Sequence, residues 1–249
     1  TTPADFTEPL VASNDQPSSF VIGSANVHLW FTRTSNKADM KALRDVINGA
    51  KKSILFLMFT PGKEGLHLLA GQRAAEEGMY VRGVVSTLGS TAADSDKNFL
   101  DVSVVSSDRK FKPDRYSVVQ PQGNDGLGPW IAEVTRKDFL AQIGHAIVHS
   151  KVLVIDPLSD DPTVVTGSHN FSAPASENND ENLVIIQGHK KLAIAYGAHV
   201  MSVYQHYRYR SYIRDMRAQG KSPWSYLDDD DKWLAEELKT KALEINYWA

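Results

Sequence analysis

His149-Ser150-Lys151-Val152-Leu153-Val154-Ile155-Asp156 is the stretch on which the reading of this chain turns. Val152 to Ile155 are apolar without a break, which predicts a strand buried on both faces. His149 and Lys151 precede it at i and i+2, so in an extended chain their side chains point the same way. An imidazole can be nucleophile or general acid near neutral pH. An ammonium beside it offers a fixed positive charge to an anionic group such as phosphate. The run therefore sets an imidazole, an ammonium and a carboxylate, that of Asp156, around one strand.

Working outward, Thr163 to Thr166 is β-branched throughout and reads as a second strand, with Gly167 permitting a sharp turn at its end. Ser168 and Asn170 then offer a hydroxyl and an amide to phosphate oxygens. Glu181 follows eleven positions after Asn170, at the head of the strand-like run Asn182-Leu-Val-Ile-Ile186. The order His-x-Lys-x(4)-Asp followed by Gly-Ser-x-Asn resembles the HKD signature of the phospholipase D superfamily. Ten residues separate Asp156 from Gly167 where that family has about six. The surplus, Pro157 to Pro162, reads as a Pro-bounded turn that leaves the strand ends in place.

The resemblance implies an α/β fold, a phospholipase D-like domain whose mixed β-sheet carries helices on both faces. It implies a phosphodiester hydrolase working through a phosphohistidine intermediate, without metal or other cofactor. His149, Lys151, Asp156 and Glu181 would form the catalytic set, with Glu181 hydrogen-bonding the imidazole of an opposite motif and Asp156 anchoring its strand rather than transferring protons. Lys151, Ser168 and Asn170 would hold the substrate phosphate. His169 and His145 do not alter the metal expectation, because an i, i+4 pairing of His145 with His149 needs a helix where a strand begins.

Such a site needs two motifs, and one is found. His189-Lys190-Lys191 is the other His-x-Lys, but it opens a helical pattern and has Tyr196 where an aspartate is required. The second imidazole is expected from a preceding domain or chain, the favoured arrangement, or from a homodimer mate. Residues 1–20 are polar and bear Pro and Ser, so they read as a linker or processed segment, with residues 21–249 as one domain.

The remainder fits that class. With 249 residues and 42% hydrophobic content the chain can bury one sizeable core. Strands are expected at Val27–Phe31, Ser53–Phe59 and Tyr80–Val85. Helices are expected at Ala38–Ala50, Leu66–Glu77 and Leu192–Arg217, and another after Asp231. A loop rich in charge and glycine, Ser106 to Trp130, carries Lys110, Lys112 and Arg115 as weaker candidates for substrate contact. A formal charge of −3 and no dense Lys/Arg tract favour a phospholipid or other small diester over nucleic acid. A nuclease and an inactive, phosphate-binding half are the alternatives. No run approaches a membrane span, so any lipid contact would be peripheral. The absence of cysteine is compatible with a secreted or periplasmic protein.

Overall fold

The structure is a computed structural model that describes residues 11–62, 65–74, 78–86, 116–119, 121, 148–221 and 230–249. The described strands are β1 (Ser18–Ile22), β2 (Ala25–Phe31), β3 (Ser53–Met58), β4 (Tyr80–Val85), β5 (Tyr116–Val119), β6 (Val152–Ile155), β7 (Thr163–Gly167) and β8 (Asn182–Gln187). They form one eight-stranded sheet in the order β1-β2-β8-β7-β6-β3-β4-β5. β3, β4 and β5 run parallel, and the remaining pairs are antiparallel. The mixed sheet expected from the sequence is present.

Helices lie on both faces. We number them α1 (Ala38–Asn48), α2 (Leu66–Arg73), α3 (Ala173–Glu177), α4 (Lys190–Ala218), α5 (Lys232–Thr240) and α6 (Ala242–Trp248). Side chains of β3 show how the sheet divides the core. Ile54, Phe56 and Met58 pack with Leu43 and Ile47 of α1, while Leu55 and Leu57 pack with Ala193, Val200 and Tyr204 of α4. A central strand with both faces covered is expected to be almost wholly apolar, as β3 after Ser53 and all of β6 are.

The sequence expectations hold for the interior elements and miss at the margins, where β5 lies within the stretch 106–130 expected to be an irregular loop. β1 begins at Ser18, so residues 18–20 belong to the sheet and not to a linker. α6 was not foreseen. It docks on the α4 side of β4, where Tyr247 stacks on Tyr80 with ring centroids 4.7 Å apart and hydrogen-bonds Ser53 through its hydroxyl. Buried Arg82 pairs there with Glu244 at 3.0 Å. Burial, the largest influence on the Tyr247 phenol, raises its pKa to about 12, so the ring stays neutral in the core.

β6 is held at both ends. At its start, the Ser86 hydroxyl, just past β4, donates to Val148 O at 2.9 Å and accepts from Val148 N at 2.7 Å. That clamp fixes the residue immediately before His149. At its end, Asp156 adopts a left-handed backbone with φ of 49°. Its carboxylate accepts three backbone N–H groups, from Lys51, Lys52 and Ser53, at 2.7 to 2.8 Å. Asp156 thereby fastens the start of β3 to the end of β6.

Candidate active site

The strand ends opposite Asp156 converge on a cavity of about 850 Å³ lined by His149, Lys151, Ser168, Asn170 and Glu181. Three turns of chain bring these residues together: the entry to β6, the exit from β7 and the entry to β8. The antiparallel register places Thr166 opposite Val152 and Gly167 opposite Leu183, so the three ends are level. Gly167 is required where it stands. Its φ is +142°, and a Cβ there would lie 2.4 Å from the carbonyl oxygen of Asn182. Any side chain would push the β7 exit off β8.

His149 is exposed and Lys151 is buried. The Lys151 ammonium donates to the His149 carbonyl at 2.7 Å and lies 3.0 Å from the His149 Nε2. An ammonium has only donors, so at that distance Nε2 is the acceptor and carries no proton. Phe59, directly after β3, braces both groups. Its ring centroid is 4.5 Å from that of His149 and 4.9 Å from the Lys151 nitrogen. Burial lowers the pKa of Lys151 below the usual lysine value, and the negative charge of Glu181 partly restores it.

Glu181 is half-buried, and its backbone is clamped to the end of β2. Glu181 N donates to the Thr32 hydroxyl at 2.7 Å, and Thr32 N donates to Glu181 O at 3.0 Å. Its carboxylate accepts from the Asn179 amide at 3.3 Å and faces the cavity. Ser168 Oγ accepts from Asn182 N at 3.0 Å. The Asn170 side-chain oxygen is buried with no hydrogen-bond partner among the described residues, an unspent polar group at the cavity wall.

One member of the expected catalytic set is not in this cavity. Asp156 stands at the far end of β6, with its carboxylate committed to the three amides described above, where it ties β6 to β3. The structure also adds residues. Leu192, Ala195, Tyr196 and His199 of α4 form the opposite wall. Their i, i+3, i+4, i+7 spacing is a helix face legible in the sequence, although Tyr196 reads there as ordinary core. Phe59 and Thr32 carry no such signal, because only the strand order brings them to the site. His145, Lys110, Lys112, Arg115 and the glycine-rich stretch 122–128 lie outside the described residues. Among the described residues, no three His, Asp or Glu side chains are grouped to hold a metal ion.

The family model described as cardiolipin synthase, PLD-like domain, matches residues 43–200, more than half of the chain. The chain belongs to the phospholipase D-like family. Members of that superfamily are phosphodiesterases and transferases. Among solved structures, NucT from Helicobacter pylori aligns with a TM-score of 0.50 at 17% identity, covering 74% of this chain and 97% of its own. Nuc from Salmonella typhimurium, a phospholipase D family member, aligns with a TM-score of 0.49 at 20% identity, covering 74% and 95%. Phosphatidylserine synthase from Haemophilus influenzae gives 0.48 at 13% identity, covering 91% of this chain and 48% of its own. No curated protein sequence matches the chain.

Proposed function

We propose that this chain supplies one half of a phospholipase D-type active site, which cleaves a phospholipid to phosphatidic acid and an alcohol through a phosphohistidine. The supporting observation is the convergence of His149, Lys151, Ser168, Asn170 and Glu181 on one cavity. The family needs two imidazoles, and this chain's motif supplies one. In two-motif members the first imidazole attacks, which gives His149 the acid/base role. The attacking nitrogen forms a bond to phosphorus, the P–O bond to the alcohol breaks, and the alcohol oxygen takes the proton from His149. Water then attacks phosphorus and gives a proton back to His149 as the P–N bond breaks. Another alcohol in place of water would give transphosphatidylation. Throughout, Lys151, Ser168 and Asn170 hold the non-bridging oxygens where negative charge accumulates.

The contact between Lys151 and His149 fits this sequence of events. Without substrate the ammonium spends a proton on Nε2. A phosphate anion is the stronger acceptor and would draw the ammonium to itself, freeing the His149 Nε2 to take from solvent the proton it later gives to the alcohol. The apolar wall of Leu192, Ala195 and Tyr196 favours a diester with a greasy substituent over a nucleic acid. The second phospholipase D-like unit is assigned to the α4 side of β1 and β2. Phe20, Ile22 and Phe31 are 50%, 63% and 52% exposed there, and Phe31 pairs with Asn182 beside Glu181.

The test supplies the assembled enzyme, chain plus second unit, with phosphatidylcholine vesicles or with plasmid DNA, in excess EDTA. Choline release with intact DNA is the expected result. DNA cleavage without choline release would turn the reading to a nuclease. Activity lost to EDTA and restored by Zn²⁺ or Mg²⁺ would remove the metal-free mechanism. A second unit that binds without enabling turnover would leave an inactive phosphate-binding half.

A further inference from the structure

The arm that carries Ser168 and Asn170 has a second side, and it is the less expected one. Ser168 and Asn170 line the cavity, while the residues between and after them, His169 and Phe171, are fully buried in the opposite direction. His169 occupies the variable slot of Gly-Ser-x-Asn, where nothing in phosphate binding calls for an imidazole. Its Nδ1 accepts the Phe171 N–H at 2.9 Å, which leaves the ring proton on Nε2. That Nε2 lies 2.9 Å from Oδ2 of Asp39, in the first turn of α1, and both side chains are wholly inaccessible. Neither atom has a well-aligned hydrogen bond among the described residues, so this 2.9 Å contact is the polar engagement the structure gives to each of them.

Asp39 is fixed from its other side as well. Its Oδ1 accepts from the Thr34 hydroxyl at 2.6 Å and from the hydroxyl of Ser176 in α3. Burial alone would raise its pKa. The contacts from His169, Ser176 and Thr34 outweigh that effect and bring it down to about 2, so an anion is kept inside the core. A buried carboxylate is costly unless each oxygen is engaged. The arm itself needs an anchor, because Phe171 holds a left-handed backbone with φ of 58°, a conformation a bulky residue rarely adopts.

We propose that His169 and Asp39 form a positioning pair, in which α1 grips the Gly167–Phe171 arm from behind and so aims Ser168 and Asn170 at the substrate phosphate. The proposal rests on the reading of this cavity as the phosphodiester site. His169 touches no substrate and acts through its two neighbours. A displacement of about 1 Å in such ligands is enough to cost on the order of 10²-fold in rate.

The experiment compares His169→Phe, which fills the space without a donor, His169→Gln, whose amide can still donate to Asp39, and Asp39→Asn. In the assembled enzyme with a soluble diester, bis(4-nitrophenyl) phosphate, kcat should fall about 10- to 100-fold in His169→Phe, with KM changed much less. His169→Gln should recover most of that loss. The His169→Phe/Asp39→Asn double variant should be no slower than the slower single variant, because the two residues act as one unit. Wild-type kinetics in His169→Phe, equal losses in the Phe and Gln variants, or losses that multiply in the double variant would overturn the pair. Should His169→Phe fail to fold, His169→Gln and Asp39→Asn are compared alone, and a kcat loss in Asp39→Asn with little in His169→Gln is the supporting result. Amide hydrogen exchange separates this inference from the functional reading, since it needs no turnover. Faster exchange confined to residues 168–172 in His169→Phe or Asp39→Asn supports the pair even if the wild type cleaves no diester, and unchanged exchange there refutes it.

Discussion

The two ends of β6 are both polar and both belong to one eight-residue motif, yet they are built on opposite principles. At the Asp156 end every oxygen is spent: three backbone amides fill the carboxylate, and a left-handed turn closes the strand. At the His149 end polar capacity is left over. The imidazole is exposed, the ammonium is buried against an aromatic ring, and the Asn170 oxygen has no partner among the described residues. A saturated polar cluster stabilises a fold, and an unsaturated one waits for a ligand. One motif, then, contains a foundation and a reactive edge, four residues of strand apart.

Substitutions at the two ends should fail in different ways. His149→Ala should lower turnover about 10³-fold or more while leaving the urea midpoint unchanged, since the side chain is exposed. Near-normal turnover would break the comparison at its reactive end. Lys151→Ala should cost about 10²-fold in kcat, with weaker binding of inorganic phosphate measured by calorimetry. Asp156→Ala should behave in the reverse sense, losing about 4 kcal/mol of stability in urea titrations with near-wild-type kcat per folded molecule. A large kcat loss in a stably folded Asp156→Ala protein would return that residue to the chemistry.

Acid should sharpen the contrast from the scaffold side. His67, buried in α2 with neither ring nitrogen partnered among the described residues, has its pKa lowered by burial to about 4. The unfolded chain therefore takes up the proton first, near pH 6.5, and the folded chain only near pH 4. Stability is full above pH 6.5, falls as pH drops toward 4 and levels below it, a loss of roughly 3 kcal/mol. In His67→Leu that decline should shrink, as urea midpoints measured at pH 7.5 and pH 4.5 would show. The smallest effect belongs to Asp39, whose depressed pKa contributes stability above pH 3.8 that is lost as pH falls toward 2, roughly 2 kcal/mol. Asp39→Asn should flatten that limb.

How much of this was legible in the sequence depended on how local the physics was. β3, β4, β6 and β7 announce themselves because central strands are rich in apolar and β-branched residues. β1 escaped because all five of its residues are exposed and no burial pattern marks it. The cavity residues could be named because the motif spells them. That Asp156 would anchor its strand could also be expected, but not its partners, since Asp156 meets Lys51 to Ser53 only through the pairing of β3 with β6. The contact of Asp39 with His169 spans 130 positions, and Thr32 reaches Glu181 across 149. Neither leaves a trace in spacing.

β1 has a further consequence. It is the last strand in the sheet order, its backbone pairs on one side only among the described residues, and it presents Phe20, Val21 and Ile22 with neither lysine nor proline inside the strand. Those are the devices by which sheet edges normally prevent another chain from adding on. On its own, this chain should tend to self-associate through strand addition at β1. Val21→Lys, at a position 75% exposed, should keep concentrated samples monodisperse in light scattering without touching the cavity.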